Sequence, residues 1–252
     1  MSRLSDTRYA VDKLAWMRKE RIWPNGLRYL WTDAFGVVLL VSLYEALRDE
    51  RYLDEAEGLV AEVNRVLGRP RGIRIGEEPD REGQYFHYLA MWLYALSVLG
   101  RYRPLYREQG VTLARQIHDP FVVPGRGVIW KMQEDLSGPY PGYGFGALDA
   151  FDGYVSYRLL DEQALAREIG EMYALIKRTA GGDLVITQDL GLGMILWLAL
   201  PRGGMGQAAY EALARHARPH VAAGGVFCPG ALSAADVLRL YQLRRLGGIA
   251  GG

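Results

Sequence analysis

Asp33, Asp80, Glu82, His87, Glu134, Asp135, Asp149, Asp152 and Asp189 share one kind of position: each lies in a link that leads into a mostly apolar stretch or within that stretch's first residues. Side chains of these types move protons. Asp149 and Asp152 stand three apart, a spacing that places both carboxylates on one face of a helix. Two like charges that close repel, and one is driven toward its protonated form, which is how a general acid is made. Cleavage of a glycosidic bond needs one protonated acid for the leaving oxygen and one carboxylate as base or nucleophile. Aromatic residues crowd the same segments, and Trp23, Trp31, Tyr88 and Trp130 would give flat surfaces for sugar rings to stack on. Gln84, His87 and Tyr88, at i, i+3 and i+4, are expected on one helical face, whose polarity needs partners or water. The pattern assigns catalysis to Asp33, Glu82, Asp149 and Asp152. It assigns substrate binding to Trp23, Trp31, Asp80, Gln84, His87, Tyr88, Trp130, Asp135 and Asp189, with no metal site and no cofactor.

Every one of these residues also has a plainer reading. Asp33 in a first helical turn is an anion at the positive end of a helix dipole, worth about 0.3–1 kcal/mol, with Arg28 as a partner. Asp80 and Glu82 can cap, and His87 can be a satisfied core histidine. Glu134-Asp135 can be solvated, and Asp149, Asp152 and Asp189 can express the preference of helix N-termini for negative charge.

The elements that must position these groups alternate in character. Nearly all-apolar segments (Phe35–Leu47, Gly83–Leu99, Ala147–Leu160, Leu190–Leu200 and Ser233–Leu246) are separated by amphipathic ones. Tyr52–Leu67 is the clearest amphipath: Leu53, Ala56, Leu59, Val60, Val63 and Leu67 follow helical spacing, and Gly68 with Pro70 ends it. Asp6–Arg21, Leu105–Ile117, Ala164–Thr179 and Gln207–Ala217 read the same way. Thr32 is the expected N-cap of the first apolar helix. The links from apolar to amphipathic segments are short. The return links (Trp23–Trp31, Arg69–Glu82, Asp119–Ala147, Gly181–Gln188 and Ala222–Leu232) are longer and hold most of the acids and aromatics. With antiparallel neighbours, all return links gather on one rim. Gly127–Met132 is the exception to helix, expected as a short extended stretch, with Gly138–Gly146 as loop. The expectation is a single all-α domain over residues 1–252, an (α/α) toroid of helical hairpins with buried inner and amphipathic outer helices.

Composition narrows the rest. Half the residues are apolar, so the chain is globular. A net charge of +1 argues against a nucleic-acid binder, whose affinity rests on a basic face. Cys228 is the single cysteine, which precludes an internal disulfide and favours a reducing compartment. The polar start shows no signal-peptide core, and the apolar runs fall short of a membrane span. The chain is expected to be cytoplasmic, without membrane or nucleic-acid partners. Gly142-Tyr-Gly-Phe-Gly lacks a preceding strand and is a poor nucleotide loop. His216 and His220 have metal-like spacing, but Pro219 interrupts them.

The stretch Trp23-Pro-Asn-Gly-Leu-Arg-Tyr-Leu-Trp-Thr-Asp-Ala-Phe-Gly resembles the six-hairpin glycosidase-like superfamily, in a branch shared by bacteria, fungi and plants. So do Gly72-Ile-Arg-Ile-Gly, Asp80-Arg-Glu-Gly-Gln-Tyr-Phe-His-Tyr-Leu and Trp130-Lys-Met-Gln-Glu-Asp-Leu-Ser. Asp149-Ala-Phe-Asp-Gly-Tyr and Thr187-Gln-Asp-Leu-Gly-Leu-Gly complete the match, which covers about Trp23–Leu200. The resemblance implies an (α/α) barrel whose mouth is built from the loops before the inner helices. Six hairpins need twelve helices and this sequence offers about ten, with a weakly matching part at 201–252. The barrel is therefore expected to be incomplete, closed by a homodimer partner or by the N-terminal helix. Glycoside hydrolysis is the first functional expectation. A sugar epimerase with His87 as base, a Mg²⁺-dependent terpene cyclase and a non-catalytic binding or scaffold protein are the alternatives.

Overall fold

The computed structural model describes residues 3–76 and 82–180. The chain divides into two compact units, Met1–Ile176 and Lys177–Gly252, and all described residues but Lys177–Ala180 belong to the first. The expected helices at Leu190–Leu200 and Ser233–Leu246, together with Asp80 and Asp189, lie outside the described residues.

Seven helices appear among the described residues. They are α1 (Arg3–Lys19), α2 (Leu30–Leu47), α3 (Arg51–Leu67), α4 (Phe86–Leu99), α5 (Pro104–Phe121), α6 (Asp149–Asp161) and α7 (Ala166–Ala180). The apolar segments became α2, α4 and α6, and the amphipathic ones became α1, α3, α5 and α7. Helix α4 packs directly on α2, α5 and α6, while α3 lies on α2. Every residue of α4 except His87 and Tyr88 is buried, as an all-apolar helix requires. On α3 only the predicted stripe, Leu53 through Leu67, is buried. The arrangement is all-α packing of successive helical hairpins. Where α6 crosses α4, Gly153 is needed: a Cβ there would stand 3.0 Å from Phe86 Cζ and 2.7 Å from Met172 Cε. Ser156 at the same crossing donates its hydroxyl to Ala90 O at 2.9 Å or to Asp152 O at 2.7 Å.

Among the described residues five short strands lie in or beside the return links: β1 (Gln84–Tyr85), β2 (Val122–Val123), β3 (Gly127–Ile129), β4 (Lys131–Met132) and β5 (Phe145–Gly146). β1 pairs antiparallel with β4, and β2, β3 and β5 form a second small sheet in that order. The extended stretch at Gly127–Met132 is present, and the Gly138–Gly146 loop ends in β5. These pairings tie the return links together. Leu30 N–H donates to Ile75 O, Ile75 N–H to Gly83 O, and Phe86 N–H to Trp130 O, each at 3.0–3.1 Å. The links before α2, α4 and α6 thus meet at one end of the helices.

Helix ends shift by a few residues from the expected bounds, and two of the shifts have a visible cause. Helix α2 starts at Leu30 rather than after Thr32, because the carboxylate of Asp33 reaches back and accepts the Tyr29 N–H. The Thr32 hydroxyl instead donates to Tyr29 O. Helix α4 starts at Phe86, because Gln84-Tyr85 is held extended by Lys131-Met132. Among the described residues one helix, α2, is long and apolar enough to cross a membrane; here it is packed against α3 and α4.

Candidate active site

The N-terminal turns of α4 and α6 bring His87, Asp149 and Asp152 together. His87 Nδ1 is 2.7 Å from Asp152 Oδ2. Asp152 is 1% exposed and Asp149 5%, whereas the His87 side chain keeps 18% of its surface. His87 is therefore the member of the three most open to solvent or a ligand. Burial pulls the imidazolium down, but the hydrogen bond and charge of Asp152, aided by Asp149, outweigh it and leave the His87 pKa raised. Asp149 moves in the same direction for another reason. Burial, then repulsion by Asp152, pushes it up to about 8, against the opposing pull of His87 and of backbone N–H groups that include that of His87. One oxygen each of Asp149 and Asp152 is buried without a hydrogen bond. Asp149, driven toward its protonated form, the carboxyl of Asp152 and an imidazole between helices make a proton-handling cluster.

A wall of rings adjoins this cluster. Trp31, on the first turn of α2, lies with its ring centroid 4.9 Å from His87 and 5.0 Å from Tyr88. The Tyr29 and Tyr88 hydroxyls are 2.7 Å apart. Tyr85 touches Tyr88 edge to face at 5.1 Å and lies nearly parallel to Trp130 at 5.8 Å. Tyr143 meets Trp130 at 5.3 Å.

The other expected residues go elsewhere. Asp33 is fully buried and engaged on both oxygens: Trp23 Nε1–H donates to Oδ1 at 2.9 Å, Arg28 Nη1 is 3.5 Å away, and Tyr29 N–H donates to Oδ2 at 3.3 Å. Burial still outweighs these partners, and its pKa is raised. Trp23 turns from the ring wall toward Gly36 and lines a separate cavity of about 480 Å³ with Arg18, Leu40, Glu55 and Leu59. Glu82 lies beside Arg74, 3.0 Å from Nη1 but off the line of a hydrogen bond.

Gln84 is not on the His87–Tyr88 face of α4. It lies in β1 and its amide is spent on backbone: Oε1 accepts Ile73 N–H at 2.9 Å, and Nε2 donates to Arg71 O at 2.9 Å and to Glu134 O at 2.7 Å. Strand pairing with β4 removes this residue from the helical register in which the spacing placed it. Glu134 forms an ion pair with Arg69. Asp135, at an exposed turn, accepts the Ser137 N–H at 2.9 Å, and Ser137 holds its carboxyl below the ordinary range. A second cavity of about 700 Å³, lined by Asn64, Arg69, Thr112 and Gln116, does not include His87. Among the described residues no three His, Cys, Asp or Glu side chains converge as a metal site.

Sequence reasoning missed Lys131. Its side chain is 1% exposed, and its ammonium lies 4.6, 4.2 and 5.2 Å from the ring centroids of Tyr85, Tyr140 and Tyr143. The signal was the alternation Ile129-Trp130-Lys131, which turns the lysine inward once Trp130 points out. It also passed over the pair of buried His118 with Glu171, 3.2 Å apart, because these residues face each other only after α5 and α7 pack. No family model, curated protein or solved structure matches the chain.

Proposed function

We propose that this chain is a carbohydrate-active enzyme that cleaves a glycoside by acid–base catalysis at His87, Asp149 and Asp152. The observation that carries this reading is the cluster itself: a carboxyl driven toward its protonated form, one helical turn from a second carboxylate, beside Trp31 and Tyr88. Asp149 holds the proton, and His87, the more exposed member, delivers it to the leaving oxygen. Asp152 orients His87. The sugar lies on Trp31 and Tyr88. The resemblance of Trp23–Leu200 to six-hairpin glycosidase-like proteins supports the same reading, and on it the described hairpins continue into an (α/α) toroid.

A sugar epimerase or isomerase is the second reading, and one observation favours it. Asp33 and Glu82, the carboxylates expected to face Asp149 across a cleft, each lie beside a buried or half-buried arginine. The exposed proton-transfer group among the described residues of the cluster is then an imidazole oriented by a carboxylate, which suits removal of a proton from a sugar carbon.

Wild type, His87→Asn and Asp149→Asn variants would be assayed on aryl glycosides, oligosaccharides and free hexoses in D₂O. The hydrolase reading expects cleavage that falls at least about 100-fold in both variants, the scale of a lost general acid–base group. Deuterium entering a free hexose without hydrolysis selects the epimerase. Cleavage that persists unchanged in both variants overturns the assignment of this cluster.

A further inference from the structure

We infer that Trp130 carries a second sugar-binding position, so that the substrate is an oligosaccharide or polysaccharide reaching from His87 past Tyr85 to Trp130. The inference rests on the reading of the His87 cluster as a carbohydrate site. Its own basis is the way Trp130 is held. The backbone on both sides is fixed: Trp130 O accepts the Phe86 N–H at 3.1 Å, and Trp130 N–H donates to Gly144 O at 2.9 Å. Ile129 and Lys131 both point inward, and strand alternation turns the indole outward, where it stays 45% exposed. A single exposed apolar side chain is ordinary on a protein surface; Trp130 differs in being fixed by backbone on both sides and continuous with a row of other rings.

The ring is also braced from behind. Tyr85 lies nearly parallel to it, with 16° between planes, and Tyr143 meets it at 61°. The ammonium of Lys131 lies over both tyrosines and over Tyr140, an attraction that fixes the rings that buttress the indole. Such a platform cannot swing toward His87 to serve the same sugar ring as Trp31. The series Trp31, Tyr88, Tyr85, Trp130 runs ring to ring, with neighbouring centroids 5.0–5.8 Å apart. Two rings, Tyr88 and Tyr85, thus stand between Trp130 and the Trp31 ring that lies against His87.

The shape of this surface selects its occupant. A stable protein interface needs roughly 800 Å² on each partner, whereas this stripe is one ring wide, with Phe145 and its overlying Arg126 as its exposed apolar neighbour. A saccharide presents an apolar ring face that an indole of this kind stacks against.

Titration calorimetry with glucose, mannose and N-acetylglucosamine and their oligomers of up to six units would test this on wild type, Trp130→Ala, Trp130→Phe and His87→Asn. The inference expects affinity in wild type to rise with length in the series that binds. In Trp130→Ala the longest oligomer should lose about tenfold, the scale of one aromatic contact. Trp130→Phe should recover most of that loss, and His87→Asn should keep the gain with length. Length-independent binding in wild type overturns the inference and leaves the His87 site standing, as does an equal loss for all lengths in Trp130→Ala. If no member of the three series binds wild type, the carbohydrate reading fails and this inference with it. A change in self-association with Trp130→Ala, without any change in sugar affinity, assigns the surface to a second copy and overturns it.

Discussion

At the residue scale, the roles of the acids follow from their partners rather than from their number. Asp33 and Asp149 both stand in first helical turns and are both buried, but Asp33 has Arg28 and Trp23 to satisfy it, and Asp149 has a like charge beside it. This difference has a consequence for pH. Asp149 titrates near its ordinary value of 3.8 when unfolded and at about 8 when folded. Below about pH 4 both states hold the proton. Between about 4 and 8 the folded state holds a proton that the unfolded state has released, so the Asp149 contribution to stability falls as pH rises through this window. The carboxamide that replaces this carboxyl in Asp149→Asn cannot ionise. Thermal unfolding of the variant, followed by circular dichroism from pH 4 to 8, should therefore show a flatter decline than wild type. Parallel curves for the two proteins would remove the raised pKa and with it the proton source proposed here.

At the element scale, the return links act as one piece because side chains staple them. Gln84 is the chief staple: its amide holds the loop before β1 at Ile73 and Arg71 and the turn after β4 at Glu134. Gly72, with φ of +77°, makes room for it, since a Cβ there would stand 2.0 Å from Gln84 Oε1. Gln84→Ala should cost about 1–3 kcal/mol, the penalty for buried backbone groups left unsatisfied, measured by urea unfolding. Gly72→Ala should cost a similar amount through its left-handed backbone and the displaced amide. Wild-type stability in both variants would mean that the links are held by strand pairing alone. The expectation that Gln84 faces a ligand alongside His87 came from reading Gly83–Leu99 as one helix. The competing interaction, pairing of Gln84-Tyr85 with Lys131-Met132, joins residues almost fifty positions apart, which helical periodicity does not register.

At the scale of the whole molecule, α4 is the keystone, because α2, α5 and α6 all pack on it. Trp92, near its middle, is fully buried. Trp92→Ala should cost about 3–5 kcal/mol, the sum of lost burial and a cavity. Trp16→Ala on α1, where the indole is half exposed, should stay within about 0.5 kcal/mol. Chemical denaturation of the two variants checks the contrast. Equal costs would contradict a core centred on α4.

The alternation of apolar and amphipathic segments was legible from the chain alone because burial on all sides and burial on one stripe leave different periodicities. That alone determined which described helices lie inside and which outside, and which loops meet at one end. Asp149 and Asp152 could be paired from sequence because three residues in a helix place side chains together without help from the rest of the fold. The sequence did not show which of the acids would remain chemically open. Arg28 was anticipated as the partner of Asp33, but Trp23 on Asp33, Arg74 beside Glu82, Arg69 on Glu134 and His87 on Asp152 are contacts between residues of different elements or across loops, decided only when the helices packed. A carboxylate carries the same charge in every one of these places. Its burial and its nearest cation are properties of the tertiary structure, and they separate the acid that caps a helix from the acid that can give up a proton.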